Sequence, residues 1–263
     1  AIGGSRPTLS RFFQDPERVS KTSRARIAEG LERVEYVPNF FATRLNRKTT
    51  GMIGVIIPYL NDLFFTKLLE SIERAAMDAG FTVITQCSHS DPLIEARAAE
   101  TFMSMSVDGA LVAPLGNHSD MKVHDRLRAR MPYKLLDSRP KHMPEVDFAH
   151  GQAVLDREFA AGRLIESSIL CVNDRVAIGA LRAAAAHGLE PGGKRMGGLR
   201  IMGHDDYPLC PYTVPSLTTV AQNVDEIGRT AVSRLVGAIH AQQSPEEQFV
   251  KLVDGDIKVR ESA

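Results

Sequence analysis

The chain has 263 residues, of which 43% are hydrophobic and 24% are charged, so it can bury one or two substantial cores. No apolar run approaches the roughly 18 residues of a membrane span, and nothing at the start resembles a signal peptide, so we expect no membrane association. The three cysteines, Cys87, Cys171 and Cys210, are widely spaced and odd in number. They argue against a disulfide framework or a Cys-rich metal site and suit a reducing cytoplasm.

The net charge is zero but unevenly spread. Residues 1–50 carry ten Lys and Arg against five Asp and Glu, hence +5, which leaves −5 for the remainder. A basic head on an acidic body is a hint of nucleic-acid binding, although many solvated helices are equally basic.

Two short helices are predicted in the basic head. Ser5 and Ser20 are plausible N-caps, and Asp15-Pro16 separates the two segments. In the first helix Leu9, Phe12 and Phe13 face inward, so the polar and basic side chains project outward. In the second, over residues 21–35, the inward positions are Ile27, Leu31 and Val34.

A third helix is predicted over residues 38–46, with Pro38 in its first turn. Because isolated helices shorter than roughly 12 residues are marginal in water, this one should form fully only against a partner surface. Phe41 and Leu45 share one of its faces, and Arg44 supplies positive charge. This segment is either a hinge that folds when it binds nucleic acid or an ordinary interdomain linker helix.

The head and hinge resemble the LacI/GalR family of bacterial transcription regulators. The matching runs are Gly3-Gly-Ser-Arg-Pro-Thr-Leu-Ser-Arg11, Val19-Ser20, Tyr36-Val-Pro-Asn39 and Ala42-x-x-Leu45. The resemblance implies a helix-turn-helix head whose first helix is largely missing from this chain, then a hinge whose Leu45 wedges into the minor groove. The DNA-binding positions that it implies are Ser5, Arg6, Pro7, Thr8, Ser10, Arg11, Asn39 and Leu45. Pro7 departs from the family's pattern because it has no side-chain donor.

The body alternates predicted strands and helices, which indicates doubly wound parallel sheets. In the first lobe the strands fall near residues 52–57, 81–87, 109–113 and 133–136, separated by amphipathic helices. Ligands of such sheets bind beyond the carboxyl ends of the strands. The residues at those ends are Asn61, Asp62, Phe64, Phe65, Asp137 and Arg139.

A second lobe is predicted to begin near Phe148. Its strands fall near residues 169–172, 199–202 and 217–222, and a last pair lies near 249–253 and 257–259, with a helix over about 225–241 before that pair. Asn173, Asp205 and Gln222 follow strands directly. Carboxylates, amides and aromatic faces lining a cleft between two lobes suit a neutral polyol or sugar better than a fatty or strongly anionic ligand.

The second lobe also resembles the family, through Val172-Asn-Asp-x-x-Ala-x-Gly-Ala180, Gly203-His-Asp-Asp206 and Pro215-Ser-Leu-Thr-Thr-Val-Ala-Gln222. The effector contacts implied by the resemblance are Phe64, Phe65, Asp137, Asn173, Asp205 and Gln222. Strand-end position adds Asn61 and Arg139. Asn173 could equally well be only a helix cap.

One region departs from the family. Between Phe148 and Ile169 the family has several strands and helices, including an effector-anchoring arginine, whereas this chain has room for a single helix. Arg157 or Arg163 could be that anchor, and no motif chooses between them. A lobe without those strands should leave a sheet edge and apolar faces open.

Nothing in the sequence favours catalysis or a cofactor. The eight histidines show no metal-binding spacing, and no nucleophile elbow or phosphate loop is present. His204-Asp205-Asp206 could be an acid/base set, but a polar ligand-binding loop explains it with fewer assumptions.

We therefore expect an all-α helix-turn-helix head at residues 1–36, a hinge at 37–50 and a two-lobed, periplasmic-binding-protein-like α/β body at 51–263. The expected function is a cytoplasmic, nucleoid-associated regulator, acting as a repressor, whose affinity for double-stranded operator DNA responds to a sugar-like effector. It would act as a homodimer, or as a tetramer, without metal or cofactor. The alternatives are a periplasmic-type sugar-binding protein and a sugar-modifying enzyme.

Overall fold

A computed structural model describes most of the chain: residues 4–14, 16–34, 49–114, 119–136, 147–163, 168–192, 198–241 and 252–263. The α-helices of the described residues are α1 (Arg6–Gln14), α2 (Lys21–Arg33), α3 (Leu63–Asp78), α4 (Pro92–Met105), α5 (Met121–Arg130), α6 (Phe148–Ala160), α7 (Asp174–Ala186) and α8 (Val224–Ala241). The strands are β1 (Met52–Ile57), β2 (Thr82–Cys87), β3 (Gly109–Val112), β4 (Tyr133–Leu135), β5 (Ser168–Leu170), β6 (Arg200–His204), β7 (Thr218–Ala221) and β8 (Asp256–Lys258).

The first lobe is built on a parallel sheet with the strand order β2-β1-β3-β4. Strand β1 is buried at every position, because helices cover both of its faces. One face packs on α3 and α8, around Leu68 and Ile72, and the other packs on α4 and α5, around Phe102. The predicted doubly wound parallel architecture is therefore confirmed for this lobe.

Helix α8 lies in the first lobe, although it follows a strand of the second lobe in sequence. It packs along α3, where the Ser71 hydroxyl donates to the carbonyl of Asp225 at 3.2 Å. A Cβ on Gly228 would lie 2.3 Å from Ser71 Oγ, so the two helices meet at a position that only glycine fits. The second lobe therefore does not run unbroken from Phe148 to the end of the chain, as the linear order of elements suggested.

The second lobe has a sheet with the strand order β5-β6-β7-β8, in which only β8 runs antiparallel. Helices α6 and α7 pack closely against each other, since a Cβ on Gly151 would lie 2.0 Å from the Val176 carbonyl oxygen. Helix α7 in turn covers Ile201 on β6. The prediction of a strand near 249–253 is wrong for its described residues, because 252 and 253 form no strand.

The opposite face of this second sheet is open in the described part of the chain. Leu170 on edge strand β5 is 72% exposed, and Ile257 on β8 is 62% exposed. Pairing places Leu170 beside Met202 and Ile257 beside Val220, so these side chains share one face. The predicted open edge and apolar face are thus found among the described residues.

The N-terminal helices form a small unit around Ile27, which is fully buried. Ser20 caps α2 by accepting from the Ser23 amide, and Arg24 of α2 pairs with Glu17 of the 3₁₀ turn that precedes it. The prediction that Val34 is buried is wrong: α2 ends at Arg33, and Val34 is 52% exposed. In the described ranges, no helix is long and apolar enough to cross a membrane.

Candidate functional site

A cavity of about 70 Å³ lies between the two lobes, at the carboxyl ends of the strands. Phe64 and Lys67 of α3 line it from the first lobe, and Asp205, Tyr207 and Gln222 line it from the second. Three of the predicted effector residues, Phe64, Asp205 and Gln222, are thus brought to one place. Such strand-end clefts between lobes are where α/β proteins bind small ligands.

Asp205 is at the centre of the polar wall. Its Oδ1 accepts from Gln222 Nε2 at 2.6 Å and lies 3.0 Å from His204 Nδ1. The carboxylate side chain is 12% exposed, so it is held mostly away from bulk water. A carboxylate fixed in this way keeps acceptor positions on its second oxygen for ligand hydroxyls.

The backbone at this point is strained. Asp205 has φ +112° and Asp206 has φ +50°, whereas residues with a side chain seldom adopt positive φ. Their neighbours hold this conformation: the Asp205 amide donates to the Val220 carbonyl at 2.8 Å, and Arg260 pairs with the Asp206 carboxylate at 2.8 Å. Such conformations cluster at ligand-binding loops, where the surrounding structure enforces them.

Asp174 supports the loop from beneath. This carboxylate is 1% exposed and accepts from Thr219 Oγ1 at 2.6 Å and from the Tyr207 amide at 2.6 Å. A Cβ on Gly203 would lie 1.9 Å from Asp174 Oδ1, so only glycine leaves room for the carboxylate. Burial raises the pKa of Asp174, and the hydrogen bonds that it accepts partly offset this rise.

Asn173 is the N-cap of α7, and its Oδ1 accepts from the Val176 amide at 2.9 Å. This is the structural role left open by the sequence, and the side chain does not line the cavity. Its role as an effector contact stays a prediction.

The predicted effector residues of the first lobe differ in their burial and in whether they line the cavity. Phe64 is 5% exposed and belongs to the core, although it also lines the cavity. Phe65 packs against Phe64 with ring centroids 5.1 Å apart, and Asn61 is exposed at the start of the loop. Neither Phe65 nor Asn61 lines the cavity.

Two of the predicted effector residues, Asp137 and Arg139, lie outside the described residues. Sequence reasoning missed Lys67 and Tyr207. Lys67 could have been found, because it is three residues after Phe64 and so shares its helix face.

The predicted DNA-contacting side chains of α1 lie at its surface. Arg6, Pro7, Ser10 and Arg11 are exposed, whereas Thr8 is half-buried and its amide donates to Ser5 Oγ. Asn39 and Leu45 lie outside the described residues.

Neither candidate anchoring arginine lies against the cavity in the described structure. Arg157 and Arg163 both pair with Glu158 at the exposed end of α6. Among the described residues, no group of His, Cys, Asp and Glu could hold a metal ion.

Residues 78–263 match the family described as the periplasmic binding protein-like domain. Among curated proteins, the chain is similar to catabolite control protein A of Streptococcus mutans, with 22% identity covering 94% of this chain and 92% of that protein. It is also similar to the ribose operon repressor of Halalkalibacterium halodurans, with 24% identity covering 97% and 92%. The HTH-type regulator MalR of Streptomyces coelicolor is 25% identical, covering 94% and 90%.

Among solved structures, the fold resembles that of the lac repressor dimer bound to operator and the anti-inducer ONPF. The TM-score is 0.85 at 19% identity, covering 99% of this chain and 96% of that one. Fold and cavity together define a two-lobed α/β protein with a cleft between its lobes. The chain belongs to the periplasmic binding protein-like domain family, and within it to the LacI/GalR regulators.

The match to catabolite control protein A extends over 311 residues, which is more than the 263 residues of this chain. The alignment therefore contains gaps on this side.

Proposed function

We propose that this protein is a sequence-specific DNA-binding transcription regulator, acting as a repressor, whose affinity for operator DNA is controlled by a sugar or sugar-like effector bound between the lobes. The observation that carries the proposal is the interlobe cavity, which Asp205 and Gln222 line together with Phe64. A carboxylate and an amide suit vicinal hydroxyls, and an aromatic ring offers apolar surface for the C–H side of a sugar ring.

Relatives named as transcription regulators favour this function over that of a periplasmic-type sugar-binding protein. The same relatives argue against a sugar-modifying enzyme. A regulator of this kind would work in the cytoplasm, at the nucleoid.

The N-terminal part would be the DNA-binding head. We assign residues 1–36 to a helix-turn-helix unit, 37–50 to the hinge and 51–263 to the effector-binding body. Arg6 and Arg11 are exposed on α1, where arginine suits the acceptor edge of guanine as well as phosphate. Thr8, Ser10 and Asn39 would contact the DNA backbone, and Ser5 would also belong to the DNA-binding surface. Pro7 would contribute only shape and apolar contact.

Two copies would bind a palindromic operator, because a twofold protein matches a twofold site. One solved neighbour is a lac repressor dimer on its operator, with a ligand bound. Effector binding would change the arrangement of the lobes and, through the paired hinges, the affinity for DNA. A homodimer suffices for this coupling, and a tetramer would add a second operator-binding dimer.

The hinge is tested by Leu45→Ala. If Leu45 unstacks a base step, removing its side chain weakens operator binding and leaves effector binding unchanged. The effector used in the test is the sugar that gives the largest thermal shift in a panel of sugars and sugar phosphates. Gel-shift titration measures the first quantity and calorimetry the second. Equal operator affinity in the two proteins would remove the wedge from the mechanism.

A further inference from the structure

An ion pair joins the two lobes beside the cavity. Arg175 Nη2 of α7 donates to Asp62 Oδ2 of the first lobe at 3.0 Å, and the two side chains are 12% and 16% exposed. The residues are 113 positions apart in the sequence. We propose that Asp62 and Arg175 are a positioning pair that holds the lobes at the separation in which the effector-binding side chains face each other.

The carboxylate of Asp62 is fixed before it meets the second lobe. Asp62 is the N-cap of α3, and its Oδ1 accepts from the Phe64 amide at 3.0 Å. One oxygen therefore caps the helix, and the other is left pointing at Arg175. Because the cap sets the side-chain direction, pairing with Arg175 costs less side-chain entropy than an unrestrained surface pair.

Arg175 is placed by the second lobe. It lies in the first turn of α7, two residues after the N-cap Asn173. The pair thus joins the N-cap of α3 in the first lobe to the first turn of α7 in the second, and both positions are next to predicted effector residues. Any ligand that moves these two segments relative to each other changes the distance between the two charges.

The bridge is sensitive to lobe separation. Opening the cleft by ~3 Å would take the nitrogen and oxygen to ~6 Å apart, well beyond hydrogen-bond range, and would let water hydrate both charges. The pair therefore favours the closed arrangement only while the lobes are close together. This makes it a contact through which ligand binding and lobe closure are coupled.

The first variants are Asp62→Asn and Arg175→Gln. Asparagine keeps the oxygen that caps α3 but has no charge to offer Arg175, so Asp62→Asn removes the bridge and leaves the helix intact. Arg182→Gln is the matched control, since Arg182 is exposed on the same helix, α7.

Lobe separation is measured by pulsed electron spin resonance on the full-length protein without ligand. Spin labels are placed at exposed positions Glu73 of α3 and Ala185 of α7, in a background with Cys87 replaced by serine. Cys171 and Cys210 are 6% and 0% exposed and stay unlabelled. Circular dichroism of each variant checks that it is folded.

We expect each single variant to raise the ratio of open to closed populations about fivefold. Each single variant removes the same contact between the lobes, so the double variant Asp62→Asn/Arg175→Gln should open no further than the larger single change. Raising the salt from ~0.1 M to ~1 M should open the wild type and leave the double variant unchanged.

Identical distance distributions in the wild type and all variants would overturn the pair's role, and so would additive effects or an equal shift in Arg182→Gln. The inference rests on the proposed function only for its consequence in regulation. Because the distances are measured without DNA or effector, its failure is distinct from a failure of operator binding, which gel-shift assays report separately.

Discussion

The strained backbone at Asp205 predicts an inverted order of stability for two substitutions. Asp205→Ala and Asp205→Gly remove the same carboxylate and the same hydrogen bond from Gln222, so they differ only in backbone preference. At φ +112° a residue with a Cβ costs about 1–3 kcal/mol, whereas glycine adopts this angle freely. Glycine in turn loses about 0.5–1 kcal/mol of backbone entropy more than alanine on folding.

The difference of these two effects makes Asp205→Gly more stable than Asp205→Ala by about 1 kcal/mol. Urea unfolding followed by circular dichroism measures it, because the chain has no tryptophan to report by fluorescence. Ala185→Gly, at an exposed position of α7, is the control, and there the glycine variant should be less stable than the wild type by about 1 kcal/mol.

Both variants at Asp205 should bind the effector at least tenfold more weakly than the wild type, and equally so, because each lacks the carboxylate. Calorimetric titration with the sugar found by thermal shift measures this. If Asp205→Ala proved as stable as Asp205→Gly, the claim of a strained loop would be wrong. If either bound the sugar as the wild type does, the claim that Asp205 contacts ligand would be wrong.

Two further predictions concern the cores of the lobes. Because the pKa of Asp174 is raised, the folded state holds the carboxyl proton to a higher pH than the unfolded state does. The contribution of this protonation to the stability is therefore full below the ordinary pKa of about 4. It falls as the pH rises through the pKa of Asp174 in the folded state. The stability of the wild type relative to Asp174→Asn, from urea unfolding at several pH values, should therefore decrease as the pH rises from about 4, and a constant difference would contradict this account. Gly54→Ala should destabilise the first lobe by about 2 kcal/mol, because the new Cβ would lie 2.4 Å from the Phe102 ring; an unchanged urea midpoint would show that Phe102 can move aside.

The predicted effector residues that line the cavity are those defined by strand ends. Asp205 and Gln222 each follow a strand directly, and neighbouring parallel strands end at the same edge of a sheet, so their meeting could be foreseen. Phe64 was found by the same reasoning, although its burial in the core could not be.

The pairs that were not foreseen depend on how distant segments meet. Nothing local links Asp62 to Arg175, and their pairing exists only once the two lobes face each other. The sequence predicted the helix that became α8, but a helical segment in the sequence does not say which sheet the helix covers. Its contact with Ser71 follows from the chain returning to the first lobe.

The central claim is that a ligand in the cleft controls the protein's affinity for operator DNA. Fluorescence anisotropy of the full-length protein on its own promoter fragment and on a scrambled fragment, each with and without the sugar from the thermal-shift screen, tests it most directly. We predict tighter binding to the promoter fragment and a change in that affinity of about tenfold or more when the sugar is added. Equal binding to both fragments, whatever sugar is present, would contradict the account.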